Sequence, residues 1–145
     1  MSQGDLRVYD PDQVSASIAG IPLSGFADGE FITIESESPT FDDVCGTDGE
    51  VTRSKSNDGR ATITVKLMQS SPVNDLLSVL HNLDKNTPGG VGVGPFMLRD
   101  KQGTTLELAE KAWIQKPPDK SWDRTAKERS WVIRCANLIS HTGGN

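Results

Sequence analysis

Residues 60–67, Arg-Ala-Thr-Ile-Thr-Val-Lys-Leu, alternate without a break. Ala61, Ile63, Val65 and Leu67 fall on one side, and Arg60, Thr62, Thr64 and Lys66 on the other. Successive side chains of a strand point to opposite faces, so this run predicts a strand with one dry face and one wet face. Val14, Ala16 and Ile18 repeat the pattern against Ser15 and Ser17, and Gly20 turns that strand into Ile21-Pro22-Leu23. Pro22 cannot donate to a ladder, which puts this piece at a sheet edge or bend. Phe31–Ser36 and Arg129–Ala136 read as further strands, the second with Trp131, Ile133 and Cys135 inward, and Val51–Ser56 as a weak strand before a turn at Asn57-Asp58-Gly59. The 145 residues fit one domain. With 34% hydrophobic residues, 14 Gly and 8 Pro, they suit a loop-rich β protein, or a subunit that completes its core against neighbours.

One helix is expected, over about residues 72–86. Ser71 stands as N-cap, Pro72 at the first position and Asp75 in the first turn, with Val73, Leu76, Leu77, Leu80 and Leu83 at helical spacing. Asn74, Ser78, His81, Asn82 and Lys85 fall mainly on the opposite, polar side, and Asn86-Thr87-Pro88-Gly89-Gly90 ends the helix. Strands resume at 94–99 and 104–114 around a turn at 100–103. Leu106 and Leu108 are out of phase with Trp113, which calls for a bulge near 109–111. Residues 121–123 read as a short extended piece and 141–145 as a frayed end. Residues 37–50 are polar, acidic and turn-rich, and read as a long protruding loop. Loops of that length usually have a task, here contact with another subunit.

Reactive chemistry is sparse. The formal charge of −5 is the wrong sign for gripping nucleic acid. Cys45 and Cys135 have neither metal-ligand spacing nor disulfide-scaffold density and read as free thiols. Gly89-Gly90-Val91-Gly92-Val93-Gly94 follows a helix and precedes a strand, the reverse of a dinucleotide cradle, and reads as a flexible link. His81 and His141 lack ligands at zinc spacing, and Asp42, Asp43, Asp48 and Glu50 do not match a calcium loop. No metal, cofactor or catalytic set is expected. Trp113 and Trp131 read as core or interface packing. No apolar run reaches membrane-span length and the N-terminus has no apolar signal core, so a chain made in the cytoplasm and not bound for a membrane is expected.

The run Tyr9–Gly29 with its continuation to Glu35 resembles the opening of tube proteins from contractile phage tails. So do Asp48-Gly49-Glu50-Val51 with Arg53 and Lys55-Ser56-Asn57-Asp58, Ser70-Ser71-Pro72 with Asn74-Asp75, and Gly103-Thr104-Thr105. Ala112-Trp113-Ile114 with Lys116-Pro117-Pro118-Asp119, and Glu128-Arg129 with Trp131 and Cys135-Ala136, extend the resemblance to about residues 9–136. It implies a mainly β fold, a β-sandwich or barrel-like tail-tube domain with one flanking helix, related to the tube of the type VI secretion system. It also implies a virion protein, not an enzyme, whose six-fold rings stack into the inner tube of the tail and conduct DNA without binding it specifically. The implied partners are copies of the chain itself, the tail sheath, the baseplate hub and the tail terminator. A second reading is a tail accessory or baseplate protein of the same fold that does not polymerise. On the tube reading the 37–50 loop reaches the next ring, with Phe41 and Val44 as anchors beside Asp42 and Asp48. Glu35, Glu107 and Glu110 are candidates for an acidic lumen lining.

Overall fold

The computed structural model describes residues 6–144. Ten strands and one α-helix follow in order: β1 (Val14–Ile18), β2 (Ile21–Pro22), β3 (Ile32–Ser36), β4 (Phe41–Cys45), β5 (Val51–Lys55), β6 (Ala61–Met68), α1 (Val73–Asn86), β7 (Gly94–Asp100), β8 (Leu106–Lys116), β9 (Glu128–Cys135) and β10 (Ile139–His141). Eight of the strands form one sheet in the order β2-β1-β7-β8-β9-β6-β3, with β10 added beside β8. Every pairing is antiparallel. Among the described residues, strands β4 and β5 pair only with each other.

The period-two residues of β6 behave as the sequence predicts: Ala61, Ile63, Val65 and Leu67 are fully buried, and the residues between them are half-buried. Their partners across the ladder continue the dry face, Ala61 opposite Cys135, Ile63 opposite Ile133 and Val65 opposite Trp131. Ala16, Ile18, Phe96 and Leu98 extend it through β1 and β7. Pro22 lies in the two-residue strand β2 at the end of the sheet, where its missing N–H removes no ladder bond.

The sheet curls on itself. Leu23 N–H donates to Ala16 O (2.9 Å), while Met68 N–H donates to Gly25 O (2.8 Å) and Ala27 N–H to Lys66 O (2.9 Å). The short piece 23–27 thus touches both β1 and β6, which lie four strand spacings apart along the sheet. Flat, they would stand roughly 19 Å from each other. Three residues span only about 10 Å, so the sheet rolls into a barrel-like body with α1 packed against β2 and β8. Seventeen buried residues form one core there.

Strand β8 carries the expected bulge. Gly94 faces Ala112 while Phe96 faces Ala109, so β8 holds an extra residue between them, and Glu110 and Lys111 are both exposed. Its facing departs from the reading of Glu107 as a lumen residue. Glu107 and Ala109, with Ala112 and Ile114, point inward; Leu106 and Leu108 point outward and Trp113 is half-buried. Two other segments also differ from expectation. Residues 121–123 form no strand, and the chain end is tied down rather than frayed: β10 pairs with Leu106–Leu108, and Gly143 N–H donates to Thr105 Oγ1 (3.0 Å). Asn145 lies outside the described residues.

Candidate assembly surfaces

Residues 37–50 are not one continuous loop. Phe41–Cys45 is the first strand of a hairpin, β4–β5, residues 46–50 are its turn, and every residue of both strands is exposed. The weak strand expected at 51–56 is β5, whereas β4 was not expected, because a ribbon wet on both faces needs no period-two pattern. Chemistry at the tip is local: Gly46 N–H donates to Glu50 O (2.7 Å), Glu50 N–H donates to the Asp48 carboxylate (3.1 Å), and Gly49 sits at φ +86°. Asp42 accepts from the N–H of Asp43 (2.9 Å).

The register, Phe41 opposite Lys55, Asp43 opposite Arg53 and Cys45 opposite Val51, places these six residues on one face. Asp42 and Val44 share the other face with Ser54 and Thr52. Phe41 and Val44, 46% and 68% exposed, therefore point in opposite directions and cannot anchor in one pocket, because residues three apart on a strand face opposite ways. The Arg53 guanidinium lies over the Phe41 ring at 4.2 Å, fixing an apolar and basic face.

The root of this arm is clamped. Ser56 N–H donates to Thr40 O (2.8 Å), and Ser38 Oγ donates to Asp58 Oδ2 (3.0 Å). Arg60 grips the same carboxylate through two side-chain N–H groups, each at 2.9 Å, and through its backbone N–H at 3.1 Å. Donation from the Arg60 side chain, then its backbone and then Ser38, holds Asp58 well below the usual carboxylate range. Next to the clamp Glu37 accepts from Thr62 and pairs with Arg134 at 3.3 Å.

Helix α1 presents a second surface. Val73 and Leu77 are buried, but Leu76, Val79 and Leu83 are 50%, 66% and 54% exposed. The helix is thus turned about its axis relative to the sequence expectation, which put Leu76 and Leu83 in the core and Asn74 outside. Asn74 explains the turn. Its carboxamide donates to Met68 O (3.0 Å) and Ser71 O (3.1 Å) and accepts from the indole N–H of Trp131 (2.9 Å). The helix starts one residue later than expected, with Pro72 rather than Ser71 at the cap position, although Ser71 Oγ still accepts from Val73 N–H (3.3 Å). The glycine link after α1 is held rather than flexible, since Asp84 accepts from the N–H groups of Val91 (3.0 Å) and Gly92 (3.1 Å). His81, expected at the surface, is half-buried.

The three candidate lumen acids separate. Glu35 is exposed on β3 and Glu110 is exposed at the β8 bulge. Glu107 is only 8% exposed, faces the interior and accepts from Ser140 Oγ (2.8 Å), so it cannot line a channel. The outer face of the sheet also carries Lys66, Arg99 and Arg134, a mixed surface rather than an acidic one. Both cysteines are free thiols, Cys45 exposed and Cys135 buried, and burial pushes the Cys135 thiol up. Trp131 is buried, whereas Trp122 is exposed beside Arg129. Among the described residues no group of His, Cys, Asp and Glu is placed to hold a metal ion, and no helix is long and apolar enough to cross a membrane.

Known proteins share this architecture and sequence. The structural protein ORF10 of Pseudomonas phage KPP10 is 30% identical over 148 residues, covering 98% of this chain and 86% of that protein. The sheath/tube terminator of an extracellular contractile injection system, PVC, in its extended state superposes with a TM-score of 0.61 at 9% identity, over 94% of this chain and 99% of that one. The tube terminating cap of the anti-feeding prophage gives 0.60 at 11% identity, over 98% and 99%. These two likenesses show the fold. Residues 8–143 match the family described as Bacteriophage PhiTE tail tube protein, so the chain belongs to that family of phage tail structural proteins.

Proposed function

We propose that this chain is the repeating subunit of a tail tube: six copies close into a ring, rings stack, and the hollow cylinder passes DNA without binding it specifically. The observation that carries the reading is the β4–β5 arm, a clamped hairpin with Phe41, Val44 and Val51 exposed and no partner strand among the described residues of its own chain. Unpaired edges at β2 and β3 support it, because exposed strand margins are templates for pairing with another copy. One arm and one receiving surface per copy make a heterologous contact, which closes rings or propagates. Glu35 and Glu110 are the remaining candidates for the lumen, and Asp42 and Asp48 shape the arm that would reach the next ring. Sheath, baseplate hub and terminator are the partners such a tube would meet.

A second reading is a ring that ends a tube instead of extending it, and the two fold neighbours, a terminator and a cap, favour it. Electron microscopy of purified protein, with sedimentation over a concentration series, separates the two. Long tubes support the first reading and single rings that do not lengthen support the second. A sharp monomer at high concentration overturns both. Replacing residues 41–55 by a two-residue turn is the companion variant, since Thr40 and Ser56 already meet across the root. It leaves the body folded, by circular dichroism, and abolishes stacking.

A further inference from the structure

We propose that the apolar face of the β4–β5 arm docks on the exposed ridge of α1 in a second copy of the chain. The proposal rests on the self-assembly reading and names the receiving surface that reading leaves open. Phe41, Cys45 and Val51 occupy one face of the arm with Arg53 and Lys55. Leu76, Val79 and Leu83 form a stripe at helical spacing, more than half open to solvent at two of its three positions. Nothing in its own chain covers that stripe among the described residues, although the helix is fixed in its rotation by Asn74 and Trp131.

Length and charge match the two surfaces. Phe41 to Cys45 spans about 13 Å of strand, and Leu76 to Leu83 spans about 10 Å of helix. The arm's face carries Arg53 and Lys55 against Asp43. The ridge is bordered by Asp75, Asn82 and Asn86, while Lys85 lies on the far side and Asp84 is turned to Val91 and Gly92. A basic rim on the arm thus meets an acidic and amide rim on the helix. The other face of the arm, with Asp42, Val44, Thr52 and Ser54, offers one apolar side chain and an acid. It is the poorer fit.

The exposed thiol of Cys45 supplies the test. Val79→Cys is assembled and then oxidised mildly. Loss of two thiol hydrogens to an added disulfide oxidant joins Cys45 of one copy to the new cysteine of the next. The expected result is a ladder of covalent oligomers on a non-reducing gel. The ladder disappears when Cys45→Ser is added, and does not return when Val44→Cys is then placed on the opposite face. Leu83→Cys is the second variant, in case Val79→Cys does not assemble. Tubes or rings by electron microscopy without a ladder from either variant overturn the docking and leave the self-assembly reading standing. Failure of the unsubstituted protein to assemble overturns both.

Discussion

Asn74→Ala tests what sets the helix. The indole N–H of Trp131 donates to Asn74 Oδ1 at 2.9 Å, and Trp131 is only 2% exposed. Removing the acceptor leaves a buried donor without a partner, a cost of about 1–3 kcal/mol. The carbonyls of Met68 and Ser71 lose their amide donor as well, but each keeps a backbone donor, the N–H of Ser71 (2.9 Å) and of Asn74 (3.2 Å). Alanine returns roughly 0.5 kcal/mol through its better helix propensity. The net loss is about 1.5 kcal/mol, and for a chain of this size that lowers the melting midpoint by roughly 3–6 °C. Thermal unfolding followed by tryptophan fluorescence measures it. All variants are compared at one low protein concentration, because association adds to apparent stability. Trp131→Phe and the double variant complete the cycle, with an expected coupling of about 1 kcal/mol. A midpoint unchanged by Asn74→Ala, or strict additivity, would refute the claim that this bond fixes the rotation of α1 and so exposes its ridge.

Leu77→Ala, at a fully buried position, lowers stability by about 2–5 kcal/mol, while Leu76→Ala and Leu83→Ala on the exposed ridge stay within roughly 0.5 kcal/mol; chemical denaturation distinguishes the two sets. Gly94→Ala brings a Cβ to 2.6 Å from Ala19 Cβ and 2.8 Å from Ala19 Cα, where Ala19 is held at φ +50°. Overpacking there costs about 1–3 kcal/mol, read in the same denaturation. Asp58→Asn loosens the root of the arm, so amides of β4 and β5 exchange faster while those of β6 and β9 do not change. Because the folded value of Asp58 lies below its ordinary 3.8, the clamp contributes fully above that pH. Its contribution is lost as pH falls toward the folded value. Asp58→Asn removes this acid-side loss, and hydrogen exchange over a pH series reads the difference.

Local chemistry alone placed much of this protein. The alternation of 61–67 and 131–135 fixed which side chains of β6 and β9 are dry, since a strand buried on one face has no other register. Pro22 marked a sheet margin through its missing N–H. Ser71, Pro72 and Asp75 located the start of the helix to within a residue, and the phase change along residues 106–113 located the bulge. What depended on contacts distant in sequence was not legible. The rotation of α1 is set by Asn74 reaching Trp131, 57 residues away, which overrides the leucine spacing that pointed Leu76 and Leu83 inward. The inward turn of Glu107 follows from its pairing with Ser140 on β10, a strand that no sequence pattern marked and whose last residue, His141, fell in the expected frayed end. Only half of the arm was legible: residues 51–56 read as a weak strand, but β4 stayed hidden because a ribbon wet on both sides leaves no burial pattern, and its pairing with Val51–Lys55 revealed it. Sequence determined the body, where burial dictates residue type; tertiary structure decided the surfaces, where residue type is free and only geometry selects.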